Sequence, residues 1–134
     1  TTHVTNDAHR VQNPQPYRGA AFITVENGPA LSIHNTGTGK ILTDSATLHL
    51  SYLFYVLSLS SNLISVHALT KDNNCTAIFY SEKVTILDNS SNLVMFQGPC
   101  DRGLYPIPSS LVSTTTTSLF SVHSAFHCLC TDSV

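Results

Sequence analysis

The stretch from Leu48 to Leu69, LHLSYLFYVLSLSSNLISVHAL, constrains the fold of this chain more than any other. Its first half alternates, with Leu48, Leu50 and Tyr52 on one side and His49 and Ser51 on the other, the period of a strand with one wet face. From Leu53 the polar side disappears, and Leu53-Phe54-Tyr55-Val56-Leu57 is apolar on both sides. A strand that begins half exposed and ends covered runs through the middle of a small β domain. Ser58, Ser60, Ser61 and Asn62 break the run with turn-forming side chains. Leu63, Ile64, Val66 and Leu69 then recur with the spacing of one side of a short helix. Leu53, Phe54, Val56, Leu63 and Ile64 are the expected centre of the core.

The 134 residues give room for one domain, large enough to bury roughly two-thirds of its unfolded surface. Charged residues make up 10% and the net charge is -2, so no basic field is available to hold nucleic acid. No apolar run reaches the ~20 residues of a membrane span, and membrane contact is not expected. No signal peptide is evident, so Cys75, Cys100, Cys128 and Cys130 are expected as reduced thiols in an intracellular, cytoplasmic setting.

Residues 1–19 form a polar segment in which Pro14 and Pro16 disfavour regular structure. Residues 20–26 (AAFITVE) read as a strand, Asn27-Gly28 as a hairpin turn and residues 31–35 as the returning strand. Gly37-Thr38-Gly39-Lys40 is too short for a phosphate loop and reads as a turn. Strands follow at 47–57, 75–80, 83–88 and 92–97, with turns at Ser81-Glu82 and at Asp88 to Ser91, and Lys71 to Asn74 closes the short helix. Residues 20–107 therefore form the domain. Residues 108–134, with Ser113 to Ser118 (STTTTS), read as a low-complexity, disordered and dispensable tail.

Several of these residues also carry a resemblance. Tyr55-Val56, the serine-rich turn and Asn62-Leu63-Ile64-Ser65-Val66 resemble the "LYVP-x-L-x-x-NLLSV" signature of copia-type (Pseudoviridae) retrotransposon Pol polyproteins, with Leu57 where the family usually has proline. Thr1 to Asp7 (TTHVTND) resembles the sequence that follows the family's Asp-Ser-Gly-Ala active-site motif, and His3 falls on its recurrent histidine. Glu26-Asn27-Gly28 is similar to the family's "GNG" turn, where retropepsins carry their flap. Met95 to Gly98 and Asp101 to Ile107 match a "LFQG…DRGLYPI" run at the start of the pre-integrase region. The resemblance spans Thr1 to about Ile107. It implies a small antiparallel retropepsin-like β-barrel with one short helix and disordered ends, beginning just after the catalytic Asp-Ser-Gly-Ala. It also implies a homodimer acting on Gag-Pol polyprotein segments in the full-length relative, and no cofactor.

Taken residue by residue, the chemistry is sparse. Aspartic proteolysis needs two carboxylates sharing one proton, each held by a loop whose glycine allows close backbone approach. The chain has no Asp-Ser/Thr-Gly; the nearest triplet is Asp44-Ser45-Ala46, expected in the loop before the central strand. His3, alone in a Thr-rich terminus, reads on its own as a solvated side chain. His123, His127, Cys128 and Cys130 are the right types for zinc, but Cys-x-Cys directly after the second histidine leaves no loop to wrap a tetrahedral ion. No catalytic, cofactor-binding or metal residue is therefore assigned. The expected function is a non-catalytic protease-region barrel. A binding module within the polyprotein is the alternative, and a zinc-dependent nucleic-acid binder is disfavoured by the low basic charge.

Overall fold

The computed structural model describes residues 2–24 and 28–108, together with the backbone of residues 126–129. The molecule is mainly β with a single α-helix among the described residues. A seven-stranded sheet holds β1 (His3–Thr5), β2 (Gln12–Pro16), β5 (Asn35–Leu42), β6 (Thr47–Tyr55), β7 (Asn62–Ser65), β11 (Pro106–Ile107) and β12 (Phe126–Leu129), in the order β11-β12-β7-β1-β6-β5-β2. A three-stranded sheet is ordered β10-β9-β8, from β8 (Cys75–Phe79), β9 (Lys83–Asp88) and β10 (Val94–Pro99). A small hairpin pairs β3 (Phe22–Ile23) with β4 (Leu31–Ser32). The larger sheet is mixed rather than antiparallel throughout: β1 runs parallel to β6, and β12 parallel to β7.

The central strand is β6, as its hydrophobicity demands, but its alternation breaks in the middle. Leu48 and Leu50 are buried, Tyr52 is 52% exposed, and Leu53 is fully buried. The pairing with β5 explains the slip: Gly39 faces Leu50 and Gly37 faces Leu53, so Ser51 and Tyr52 together oppose Thr38. This β-bulge turns the strand by one residue and moves Leu53 onto the face of Leu48 and Leu50. The expected grouping of Tyr52 with those leucines is thereby corrected.

Gly37 to Lys40 is likewise not a turn but part of β5. On its other side β5 meets a second bulge, where Gln12 pairs with Thr38 and Gln15 with Thr36. Asn13 takes φ 52° there. A Cβ on Gly39 would lie 2.8 Å from Leu53 Cδ2, and one on Gly37 would run into the Gln12 carbonyl and, at 2.6 Å, Val11 Cγ1. The glycines are strand residues that let two bulged neighbours press against one strand.

Leu53 and Phe54 point to opposite faces of the sheet, and each face has its own cluster. One contains Ile41, Leu48, Leu50, Leu53, Ile64 and Ile107, closed by Leu69 of α1 (Val66–Asn73) and by Cys75 and Ile86 of the smaller sheet. The other contains Val4, Ile33, Val56 and Leu59, with Tyr17, Phe54 and Leu63 only partly buried against them. Leu53, Val56 and Ile64 are thus as deep as expected. Phe54 and Leu63 are not: among the described residues their side of the sheet is covered by Tyr17 and by Ile23 and Leu31 of the β3–β4 hairpin, which leave both partly exposed.

Helix α1 starts one residue after β7, so Asn62 to Ser65 is strand rather than the first part of the helix. The Ser65 hydroxyl caps it by accepting from Ala68 N–H (3.2 Å), and Asn74 ends it in the left-handed region at φ 46°, the usual chemistry of a helix start and stop. At its C-terminal end the helix stands in for a missing strand. Asn73 Oδ1 accepts from His49 N–H (2.7 Å) while Asn73 Nδ2 donates to His49 O (2.9 Å). Asp72 Oδ2 accepts from Ser51 N–H (3.2 Å). The part of β6 that β1 does not reach is satisfied by side chains.

The hairpins read from turn chemistry are present. Tyr80 N–H donates to Lys83 O (2.8 Å) around Ser81-Glu82. Beyond β9, the Asp88 carboxylate accepts from Ser91 N–H (2.9 Å) and Ser91 Oγ (2.6 Å), an Asx turn. Those hydrogen bonds hold the Asp88 carboxyl below its usual range. The expected Asn27-Gly28 turn and residues 25–26 of its strand fall largely outside the described residues. Most of the expected tail, 108–134, does so too; β12 is its described part.

Candidate functional site

The N-terminal segment, expected to lack regular structure, supplies a fully buried strand at its start. β1 lies between β6 and β7, in register His3–Leu53 with the first and Val4–Leu63 with the second. His3 and Thr5 have no exposed surface and Val4 is 4% exposed. Pro14 and Pro16 do not prevent this, because they lie in β2 at the sheet's edge, where a missing N–H faces no partner.

β1 is held to β7 by a seam of buried polar contacts. Thr5 Oγ1 donates to Asn62 Oδ1 (2.7 Å), and Asn6 N–H donates to the same oxygen (3.1 Å). Asn6 Nδ2 donates to Leu59 O (2.8 Å), while Val56 N–H donates to Thr5 O (2.9 Å). Ser65 N–H donates to His3 Nδ1 (3.1 Å). Asn62 and Ser65 are 2% and 3% exposed, so these bonds form where an unpaired group would be costly. They also cross 51 to 62 residues of sequence.

The protonation state of His3 follows from this geometry. A backbone N–H can only donate, so Nδ1 must accept and the ring is neutral with its proton on Nε2. Burial lowers the pKa to about 4, with the negative charge of Asp72 pulling weakly the other way. Nε2 has no partner among the described residues. The ring is closed to solvent and locked to the first residue before α1, an arrangement suited to fixing a strand against a helix rather than to turning over a substrate. The expectation of a solvated His3 is corrected. The signal that could have found it is the alternation of His3, Val4 and Thr5, too short to distinguish from a loop.

The other candidates are not brought together. Asp44 is exposed in the turn between β5 and β6, where Thr43 N–H donates to Ala46 O (2.9 Å) and Ala46 N–H donates to Thr43 Oγ1 (2.9 Å). Thr43 Oγ1 also donates to Met95 O (2.7 Å), which ties that turn to β10. Asp44 is therefore a turn residue. Among the described residues no three His, Cys, Asp or Glu side chains gather where they could hold a metal ion. The side chains of His123, His127, Cys128 and Cys130 lie outside the described residues. Of the cysteines within them, Cys75 is buried, which raises its thiol pKa, and Cys100 is half-buried. No helix among the described residues is long and apolar enough to cross a membrane.

Fold and seam together define a small β-barrel-like domain whose buried polar residues bond its own strands to one another. The family described as Pol polyprotein, β-barrel domain matches residues 1–75, more than half of the chain and all of the seam. The chain belongs to that family and carries the β-barrel of a Pol polyprotein. No curated protein and no solved structure matches it.

Proposed function

We propose that this domain is the barrel of the aspartic protease region of a copia-type retrotransposon Pol polyprotein, running into the pre-integrase segment and, as residues 1–134, without peptidase activity. The observation that carries the reading is the seam. The two stretches similar to family motifs, Thr2 to Asn6 and Asn62 to Ser65, are each other's hydrogen-bond partners. A substitution in either would break the other, which is a physical reason for such motifs to travel together. The side chains in the seam are a neutral histidine, two asparagines and a threonine, and Ser65 joins it through its backbone N–H. None can form the pair of carboxylates that activates water. The sequence has no Asp-Ser/Thr-Gly triplet, so two copies of the barrel would still need Asp-Ser-Gly loops from elsewhere.

Peptide hydrolysis assays test this. Residues 1–134 should show no pepstatin-sensitive cleavage between about pH 3 and 7, where carboxylate dyads work. The same chain preceded by Asp-Ser-Gly-Ala should gain cleavage, and lose it when that aspartate is changed to asparagine. Cleavage by the unextended chain that disappears in Asp44→Asn would overturn the reading.

A further inference from the structure

β12 is the last strand in sequence, yet it does not lie at the edge of the larger sheet. It runs parallel to β7 in the register Phe126–Asn62, His127–Leu63, Cys128–Ile64 and Leu129–Ser65. On its other side it runs antiparallel to β11, with Phe126 beside Ile107 and His127 beside Pro106. Among the described residues β11 has no other strand neighbour. Phe126 to Leu129 contains no proline and no Asp, Glu, Lys or Arg, so nothing in it opposes a place inside a sheet. The family match covers β7 and stops at Cys75, so both strands that finish this side of the sheet come from beyond it.

β7 is held differently on its two sides. β1 meets it at one register position, Val4–Leu63, and otherwise through the polar seam. β12 meets all four of its residues. That ladder runs from Asn62, whose Oδ1 accepts from Thr5 Oγ1 and Asn6 N–H, to Ser65, whose N–H donates to His3 Nδ1. Both ends of the ladder are thus residues of the seam. Without β12, β7 would be an edge strand with free N–H and C=O groups. Water at that edge would lie next to bonds that matter because their surroundings are dry. Ile107 is fully buried in the cluster of Leu53 and Ile64, and its strand joins the sheet through β12.

We propose that β12 is a strap: it closes the outer edge of β7, carries β11 against the core and keeps water from the seam. The C-terminal part of the chain thereby controls how firmly the N-terminal strand β1 is docked. Residues 126–129 are then not dispensable, in contrast to the expectation for 108–134. Releasing the strap opens the seam and leaves the rest of the larger sheet paired, because Ile41–Leu48 and Lys40–His49 of the β5–β6 ladder owe nothing to β12. A local opening of this kind needs less free energy than global unfolding. The inference uses the strand order and the seam alone and stands apart from the protease-region reading.

Amide hydrogen exchange on the full chain tests it. His127 has a strand on each side, so His127→Pro loses a ladder bond whichever neighbour its N–H serves. The amides of Asn6, Val56 and Ser65, which donate to Asn62 Oδ1, Thr5 O and His3 Nδ1, should exchange at least about tenfold faster in that variant than in the wild type. Those of Ile41 and Leu48 should keep their wild-type rates. Ser133→Pro, outside the strand, should change none of the five. Should His127→Pro fail to fold, His127→Gly decides: it keeps every backbone donor, weakens the strand through entropy, and should give the same pattern at about threefold. Unchanged exchange at Asn6, Val56 and Ser65 overturns the proposal. So does an equal acceleration at Ile41 and Leu48, which would make β12 an ordinary part of one cooperative core.

Discussion

The seam between β1 and β7 and the three-stranded sheet β8–β10 are both built from strands and hydrogen bonds, yet they are held in opposite ways. In the seam a few polar side chains bond at great sequence distance and in full burial: Thr5 to Asn62, His3 to Ser65. In the smaller sheet consecutive strands are joined by short turns, and its side-chain bonds, such as Thr76 Oγ1 to Asn89 Oδ1 (2.5 Å), lie at the surface. The same chemical bond therefore carries different weight in the two places. A surface partner that is lost is replaced by water, whereas a buried one is not. The family match also divides them, ending at Cys75 where the smaller sheet begins.

The sharpest way to break this comparison is to delete the acceptor at the centre of the seam. Asn62→Ala leaves the buried Thr5 hydroxyl and the partly buried Asn6 N–H without their partner. Urea denaturation should show a loss of roughly 3–5 kcal/mol. A loss below about 1 kcal/mol would mean that water reaches the seam.

Next in size is the acid response of His3. Its folded pKa of about 4 lies below the 6.5 of the free side chain. Between those values the unfolded chain binds a proton that the folded one refuses. Stability is therefore intact above about pH 6.5 and falls as pH drops toward 4. The full shift corresponds to roughly 3 kcal/mol. Urea midpoints measured at pH 7 and 4.5 should differ more in the wild type than in His3→Phe, which has no proton to refuse.

Phe54→Ala should cost about 2 kcal/mol, less than a central core residue would. Its ring is only half-buried, in edge contact with Tyr17 and Tyr52 at centroid distances of 5.4 and 5.3 Å. Thermal denaturation alongside Leu53→Ala, expected at about 2–5 kcal/mol, would rank the two faces of β6; the reverse order would place the deeper core on the Phe54 side. The smallest effect belongs to the surface sheet. Thr76→Val removes an exposed hydrogen bond and should change stability by no more than about 0.5 kcal/mol, the lower bound that sharpens the contrast with Asn62→Ala.

Local patterns carried as far as local physics allows. The hydrophobicity of Leu48 to Val56 was enough to make β6 the centre of a mainly β domain. The two-residue turn at Ser81-Glu82, the Asx turn at Asp88 and the polar close of α1 were legible because each depends on residues within four positions of one another. The pairing of Tyr52 with the wrong face, the reading of Gly37 to Lys40 as a turn, and the dismissal of His3 share one cause. Each of those residues takes its role from a strand that arrives from elsewhere in the chain.

Sequence alone, then, determined that this chain forms hairpins around an apolar central strand, since alternation and turn chemistry act within a few residues. Only the tertiary structure decided which strand lies beside which. The bulge at Ser51-Tyr52 becomes necessary once β5 is present, and Gly37 and Gly39 become strand residues once two bulges press on them. The N-terminal residues become core once Asn62 and Ser65 are there to receive them. A buried polar side chain is stable only with a partner in place, and for Thr5 and His3 that partner lies 57 and 62 residues away.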